Sequence, residues 1–114
     1  MSANAYLATH HLLFVVTGAG LLVAAISLPL IARWVPRNSI YGVRTRLAFS
    51  SDENWYRVNA TGGKMLLRAG LAIMLVGAAG FLLPASWLTA YTSAALVLTV
   101  VFTLAAAGSC LRIR

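Results

Sequence analysis

Residues 36–59 read PRNSIYGVRTRLAFSSDENWYRVN, the one polar stretch of a chain that is otherwise nearly all hydrocarbon. Both acidic residues, Asp52 and Glu53, fall inside it, together with Arg37, Arg44, Arg46 and Arg57, and Arg33 stands just before it. On either side the charges vanish. Residues 1–32 contain no Lys, Arg, Asp or Glu, and residues 69–111 contain none either. A polar island between two such blocks turns the question of fold into one of how often the chain crosses a bilayer.

Composition answers for the solvent. Of 114 residues, 61% are hydrophobic and 10% charged, and the mean hydropathy is +0.85. A water-soluble domain of this size carries about a quarter charged residues. This chain cannot cover its surface with polar groups, so lipid is the solvent it is built for. Nothing resembles a hinge between two domains, and residues 1–114 read as one membrane unit. A net charge of +7 would suggest nucleic acid in a soluble protein. Here its placement assigns it to topology, and no nucleic-acid partner is expected.

The first apolar block holds a segment, residues 12–32, of about the 20-residue length that crosses a hydrocarbon core as a helix. A cleaved signal peptide would need a cationic leader before the apolar run, and none precedes it here. Pro29 removes one backbone hydrogen bond in the last third and is expected to bend the helix. Arg33 and Trp34 mark the water interface. The second block is too long for one span and suits two, broken at Pro84-Ala85-Ser86. Spans are therefore expected near residues 10–35, 62–83 and 86–112, with a polar loop at 36–50 and an interfacial helix start at 51–61. Gly62-Gly63 is a candidate bend between that start and the span. The fold class is all-α: a polytopic membrane protein with three transmembrane helices.

Orientation follows from the cations. Arg33, Arg37, Arg44, Arg46, Arg57, Lys64 and Arg68 lie around the first loop, and Arg112 and Arg114 close the chain. Three spans put all nine on one side. The positive-inside rule then predicts a cytoplasmic loop and C-terminus, with the N-terminus outside. Small residues recur along the spans at Gly20 and Ala24, at Gly70 and Gly77, and at Thr99, Thr103 and Ala107. Such positions let helix backbones approach in lipid, within one chain, in a homo-oligomer or against a larger membrane complex.

Within the loop, Pro36 stops the first helix and Asn38 caps the following turn. Gly42 allows a left-handed or closely packed backbone between Tyr41 and Val43. Arg44 has two readings. Its guanidinium can clamp a carboxylate, phosphate or lipid headgroup, or it can pair with Asp52 or Glu53 and tie the loop to the helix. Ser50 and Glu53 have the spacing of a capping box. Trp55 and Asn59, one helical turn apart, share a face and can pack on the loop.

Catalytic chemistry finds no foothold. The two carboxylates are adjacent rather than set across a cleft, and His10 and His11 lie at the opposite membrane face from the loop. As neighbours on a helix, the two histidines diverge by about 100° and read as interfacial polar anchors, not metal ligands. Cys110, the single cysteine, lies in AAAGSC and reads as a small packing residue. No cofactor or metal is expected.

The pattern P-x-N-x-x-Y-G-x-R-T, then W-x-x-x-N at a helix start, is carried by Pro36, Asn38, Tyr41, Gly42, Arg44, Thr45, Trp55 and Asn59. It resembles the SdpI family of bacterial membrane proteins. The resemblance covers the first loop through the start of the second span. It implies a bacterial inner-membrane protein that binds and does not catalyse, in toxin immunity, signalling or stress protection. The founding member protects its producer from a secreted toxin and holds a repressor at the membrane. The motif residues are then candidates for partner binding. A small accessory subunit of a larger membrane complex is the alternative.

Overall fold

Four helices and one 3-10 turn account for most of the molecule in the computed structural model, which describes residues 2–113. Arg114, expected on the cationic side of the last span, lies outside the described residues. The first helix, α1, covers Ala3–Ile31 and starts where the Ser2 hydroxyl accepts from the Ala5 amide at 3.2 Å. It begins earlier than the expected residue 10, because nothing between Ala3 and His10 breaks a helix. It also runs through Pro29.

At its C-terminus the Trp34 amide donates back to the Pro29 carbonyl at 3.0 Å and the Arg33 amide to Leu30 at 3.3 Å. That is a Schellman motif, with Arg33 in the left-handed position (φ 61°) that glycine usually takes.

A short helix, α2 (Arg46–Phe49), interrupts what the sequence suggests is plain loop. The long α3 follows at Asp52–Gly80, then a 3-10 turn at Ala85–Trp87 and α4 at Leu88–Leu111. Pro84 stands at the break between α3 and α4, as its missing N–H requires. The three long helices are each long and apolar enough to cross a membrane. At 29 residues α3 is about 43 Å long, more than a hydrocarbon core of about 30 Å, so its polar first turns extend beyond the apolar layer.

The helices pack unequally. α1 lies against α3 along their lengths, while α4 touches α3 less and α1 hardly at all. Between α1 and α3 the approach is backbone to backbone. A Cβ on Gly70 would sit 2.7 Å from both the Ala24 amide nitrogen and the Gly20 carbonyl oxygen, and one on Gly20 would strike Gly70 and Met74. Gly77 fits against Thr17 in the same way. Only hydrogens at these positions permit such contact in lipid. Gly62-Gly63 does not interrupt α3. Gly62 instead makes room for Val43 and Cys110, and Gly63 for Leu30 and Ile31.

Two apolar clusters result. One joins Val16, Ile73 and Ala95 in mid-span, and the other joins Val43, Ala48, Trp55, Val58 and Cys110 at the loop end. At the far end His10 is buried, stacked between Tyr6 at 4.0 Å and Phe81 at 5.8 Å, with Nδ1–H donating to the Tyr6 carbonyl. His10 is thus packed within the protein, whereas its neighbour His11 is exposed.

Candidate functional site

The loop between α1 and α3 is built from its own polar side chains. The Asn38 Oδ1 accepts from the amides of Ile40 (2.9 Å) and Tyr41 (2.6 Å), and its Nδ2 donates to the carbonyls of Pro36 (2.8 Å) and Tyr41 (3.0 Å). One side chain thereby fixes the backbone from 36 to 41, the local hydrogen bonding that makes asparagine a turn residue. Tyr41 reaches back to donate its hydroxyl to the Ile26 carbonyl on α1. Burial pushes its phenol above the ordinary value, so it stays a neutral donor at physiological pH. Thr45 then caps α2 by accepting from the Ala48 amide at 3.2 Å.

α3 receives the loop on one face. Asn59 is buried, takes the Val43 amide on Oδ1 at 2.5 Å, and donates Nδ2 to the Val43 carbonyl at 3.2 Å and the Trp55 carbonyl at 3.0 Å. An amide side chain that satisfies both backbone groups of one residue acts like a neighbouring strand. One turn earlier Trp55 is wholly buried and donates Nε1–H to the Val35 carbonyl at 2.8 Å.

Gly42 passes between these two with φ 116°, a backbone that side chains rarely adopt. A Cβ there would sit 2.5 Å from the Asn59 Oδ1 and 3.3 Å from the Trp55 ring. Gly42, Trp55 and Asn59 are therefore one interlocked unit, and Pro36, just before the Asn38 turn, opens the loop on an exposed position.

Two local expectations give way. The carboxylate partner is Arg37 and not Arg44: Arg37 Nη2 lies 3.2 Å from Asp52 and its Nη1 donates to the Phe49 carbonyl at 3.0 Å. Arg44 points elsewhere, donating to the Ser39 carbonyl, and no carboxylate pairs with it among the described residues. The cap of α3 is Ser51 and not Ser50. Ser51 accepts from the Asn54 amide at 3.0 Å, while Ser50 ends α2 and donates to the Leu47 carbonyl at 2.5 Å. The unforeseen α2 moves the start of α3 on by one residue, which puts Glu53 out of register for a capping box. Asp52 and Glu53 remain in the first turn of α3, favourable at its positive end.

Beside the loop lies a cleft of about 480 Å³. Ile26 and Leu30 of α1, Leu66 of α3 and Leu111 of α4 line its helix side, and residues 41–44 line its loop side. Among the described residues Arg44 is its one charged lining residue. The sequence gives no direct signal of this cleft, because its walls come from four separate segments.

Three apolar spans and a loop whose motif side chains are turned onto its own backbone define a polytopic membrane protein with a shaped polar loop. The chain belongs to the SdpI/YfhL protein family, whose family model matches residues 34–111. No curated protein and no solved structure matches it.

Proposed function

We propose that the protein acts by binding, without catalysis, at the loop end, in an immunity, signalling or stress-protection role of the SdpI kind. One observation carries this reading. Asn38, Tyr41, Thr45, Trp55 and Asn59 all direct their polar atoms inward to hold backbone, and Arg44 is left exposed at the cleft. A guanidinium carries five N–H donors, and its bond to the Ser39 carbonyl leaves most of them for a partner. The one-sided cations support a cytoplasmic loop and an outside N-terminus in a bacterial inner membrane. The accessory-subunit reading has less support at Gly20, Gly70 and Gly77, which are already used inside the chain against Gly70, Gly20 and Thr17, and keeps Thr103 and Ala107 of α4 as an exposed small-residue face.

The test is Arg44→Lys, which keeps the charge and loses the planar fork. Loss of the deletion-rescue phenotype at unchanged thermal stability in detergent is the expected outcome. Full rescue by Arg44→Lys together with Arg44→Ala overturns the reading, and stoichiometric co-purification with a large membrane complex favours the accessory subunit.

A further inference from the structure

The cleft and Arg44 form one site, and its two halves differ in chemistry. Ile26, Leu30, Val43, Leu66 and Leu111 supply hydrocarbon walls, and Arg44 supplies the one charge among the described residues. About 480 Å³ falls within the roughly 300–1,000 Å³ of small-molecule sites. Ile26, Ala107 and Leu111 are exposed, so the cleft opens sideways at the gap between α1 and α4, which touch each other little. The helices on both sides are long and apolar enough to cross a membrane, and a sideways gap between two spans is open to lipid tails.

The charge balance selects the sign of the occupant. The loop end carries seven cations from Arg33 to Arg68 against two acids, and Arg37 already engages Asp52. Among the described residues no acid lines the cleft. A ligand that suits the whole site is therefore amphiphilic: an anionic head bonded by the guanidinium and an aliphatic chain laid between the helices.

We infer that the cleft is a binding site for an anionic phospholipid of the surrounding bilayer, its phosphate on Arg44 and one acyl chain among Ile26, Leu30, Leu66 and Leu111. This rests on the proposal that the loop end is the binding end. It names the ligand class for that end. The lipid also completes the packing: α4 is the least held of the three long helices, and a chain in the cleft touches α1, α3 and α4 together. Bound lipid stabilises the folded protein by mass action.

Native mass spectrometry of the delipidated full chain, titrated with phosphatidylglycerol or with phosphatidylcholine of matched chains, tests this. The wild type is expected to bind phosphatidylglycerol about tenfold more tightly, on the strength of hydrogen bonds to a charged group, and to gain thermal stability from it alone. Arg44→Gln is expected to lose that preference, and Arg46→Gln, a cation outside the cleft, to keep it.

Ala107→Trp fills an exposed wall of the cleft and is expected to lower binding of phosphatidylglycerol while the protein stays folded. Equal binding of the two lipids by the wild type overturns the inference. So does equal loss in Arg44→Gln and Arg46→Gln, which would mark a diffuse cationic surface. Undiminished binding in Ala107→Trp, or a lipid-free dimer as the species that occludes the cleft, also overturns it. The phenotype assay is separate: lipid preference lost in Arg44→Gln with rescue intact retires the proposed function and leaves the lipid site standing. Rescue lost while lipid preference persists does the opposite.

Discussion

α3 packs on two sides, with α1 and the loop on one and α4 on the other, and it holds them by different physics. Toward α1 and the loop it presents glycines at Gly63, Gly70 and Gly77 and a buried Trp55–Asn59 pair, so backbones touch and the backbone groups of Val35 and Val43 find side-chain partners. Toward α4 it presents Ile73 and Val76, with two polar ties among the described residues: Tyr91 donates to the Val76 carbonyl at 2.6 Å, and the Cys110 thiol makes a weaker contact with the Gly62 carbonyl at 3.8 Å. Lipid tails compete on equal terms with aliphatic side chains, so apolar contact alone gives little reason for two spans to stay together. Close approach and internal hydrogen bonds do. The contrast separates a fixed pair, α1–α3 with its loop, from a third helix that is placed more loosely and leaves a cleft beside it.

The sharpest way to break that contrast is Gly70→Leu. Overpacking ordinarily costs about 1–3 kcal/mol, but there the atoms in the way are backbone of Gly20 and Ala24, which cannot turn aside. The expected result is loss of the folded species in mild detergent, read by thermal melting and size-exclusion chromatography. A stable Gly70→Leu protein would mean the α1–α3 seam is not what holds the fold.

Next in size comes Asn59→Ala. It leaves the Val43 amide and carbonyl buried without their partner, at roughly 1–3 kcal/mol for each group. We expect a large fall in melting temperature and faster proteolysis within residues 36–50. Unchanged protection there would show that Trp55 packing holds the loop by itself. Tyr91→Phe tests the opposite side of α3. Interhelical hydrogen bonds in membranes average about 0.6 kcal/mol, so a drop of that order is expected in the same melting assay. A loss as large as that of Asn59→Ala would erase the distinction between the two sides.

The three spans and their breaks are legible in the sequence because each rests on composition over many residues. Pro84 and the charge-free block after Ala69 leave little choice. Asn38, Gly42, Trp55 and Asn59 are legible as residue types with a structural use, since an asparagine in a turn and a glycine beside an aromatic have few alternatives. Their pairing is less legible. That Asn59 meets Val43, and that Arg37 and not Arg44 finds Asp52, depends on the path of residues 39–50. That path turns on α2, four residues long and too short for any periodicity to announce. The same missed turn misplaced the cap by one residue. Gly62-Gly63 misled for a different reason: a glycine pair in a span signals either a bend or a contact, and only the neighbours Val43 and Leu30 decide between them.

The smallest expected effect is the control that gives the others their meaning. Gly108 sits in α4, and a Cβ built there meets nothing within 4 Å. Gly108→Ala therefore adds no clash. It removes the conformational freedom that makes glycine a poor helix residue, a difference of about 1 kcal/mol in water. Inside a bilayer the helix is already enforced by the need to pair its backbone groups, so less of that gain remains. The expected melting temperature is equal to wild type or slightly above it, in the same detergent in which Gly70→Ala, with its Cβ 2.7 Å from α1 backbone, lowers it. Identical chemistry at two glycines, with opposite signs, would attribute the result to the neighbour and not to glycine itself. Should Gly108→Ala destabilise as much as Gly70→Ala, α4 must bury that face against something the single chain does not contain, and a homo-oligomer through α4 becomes the better account of the fold.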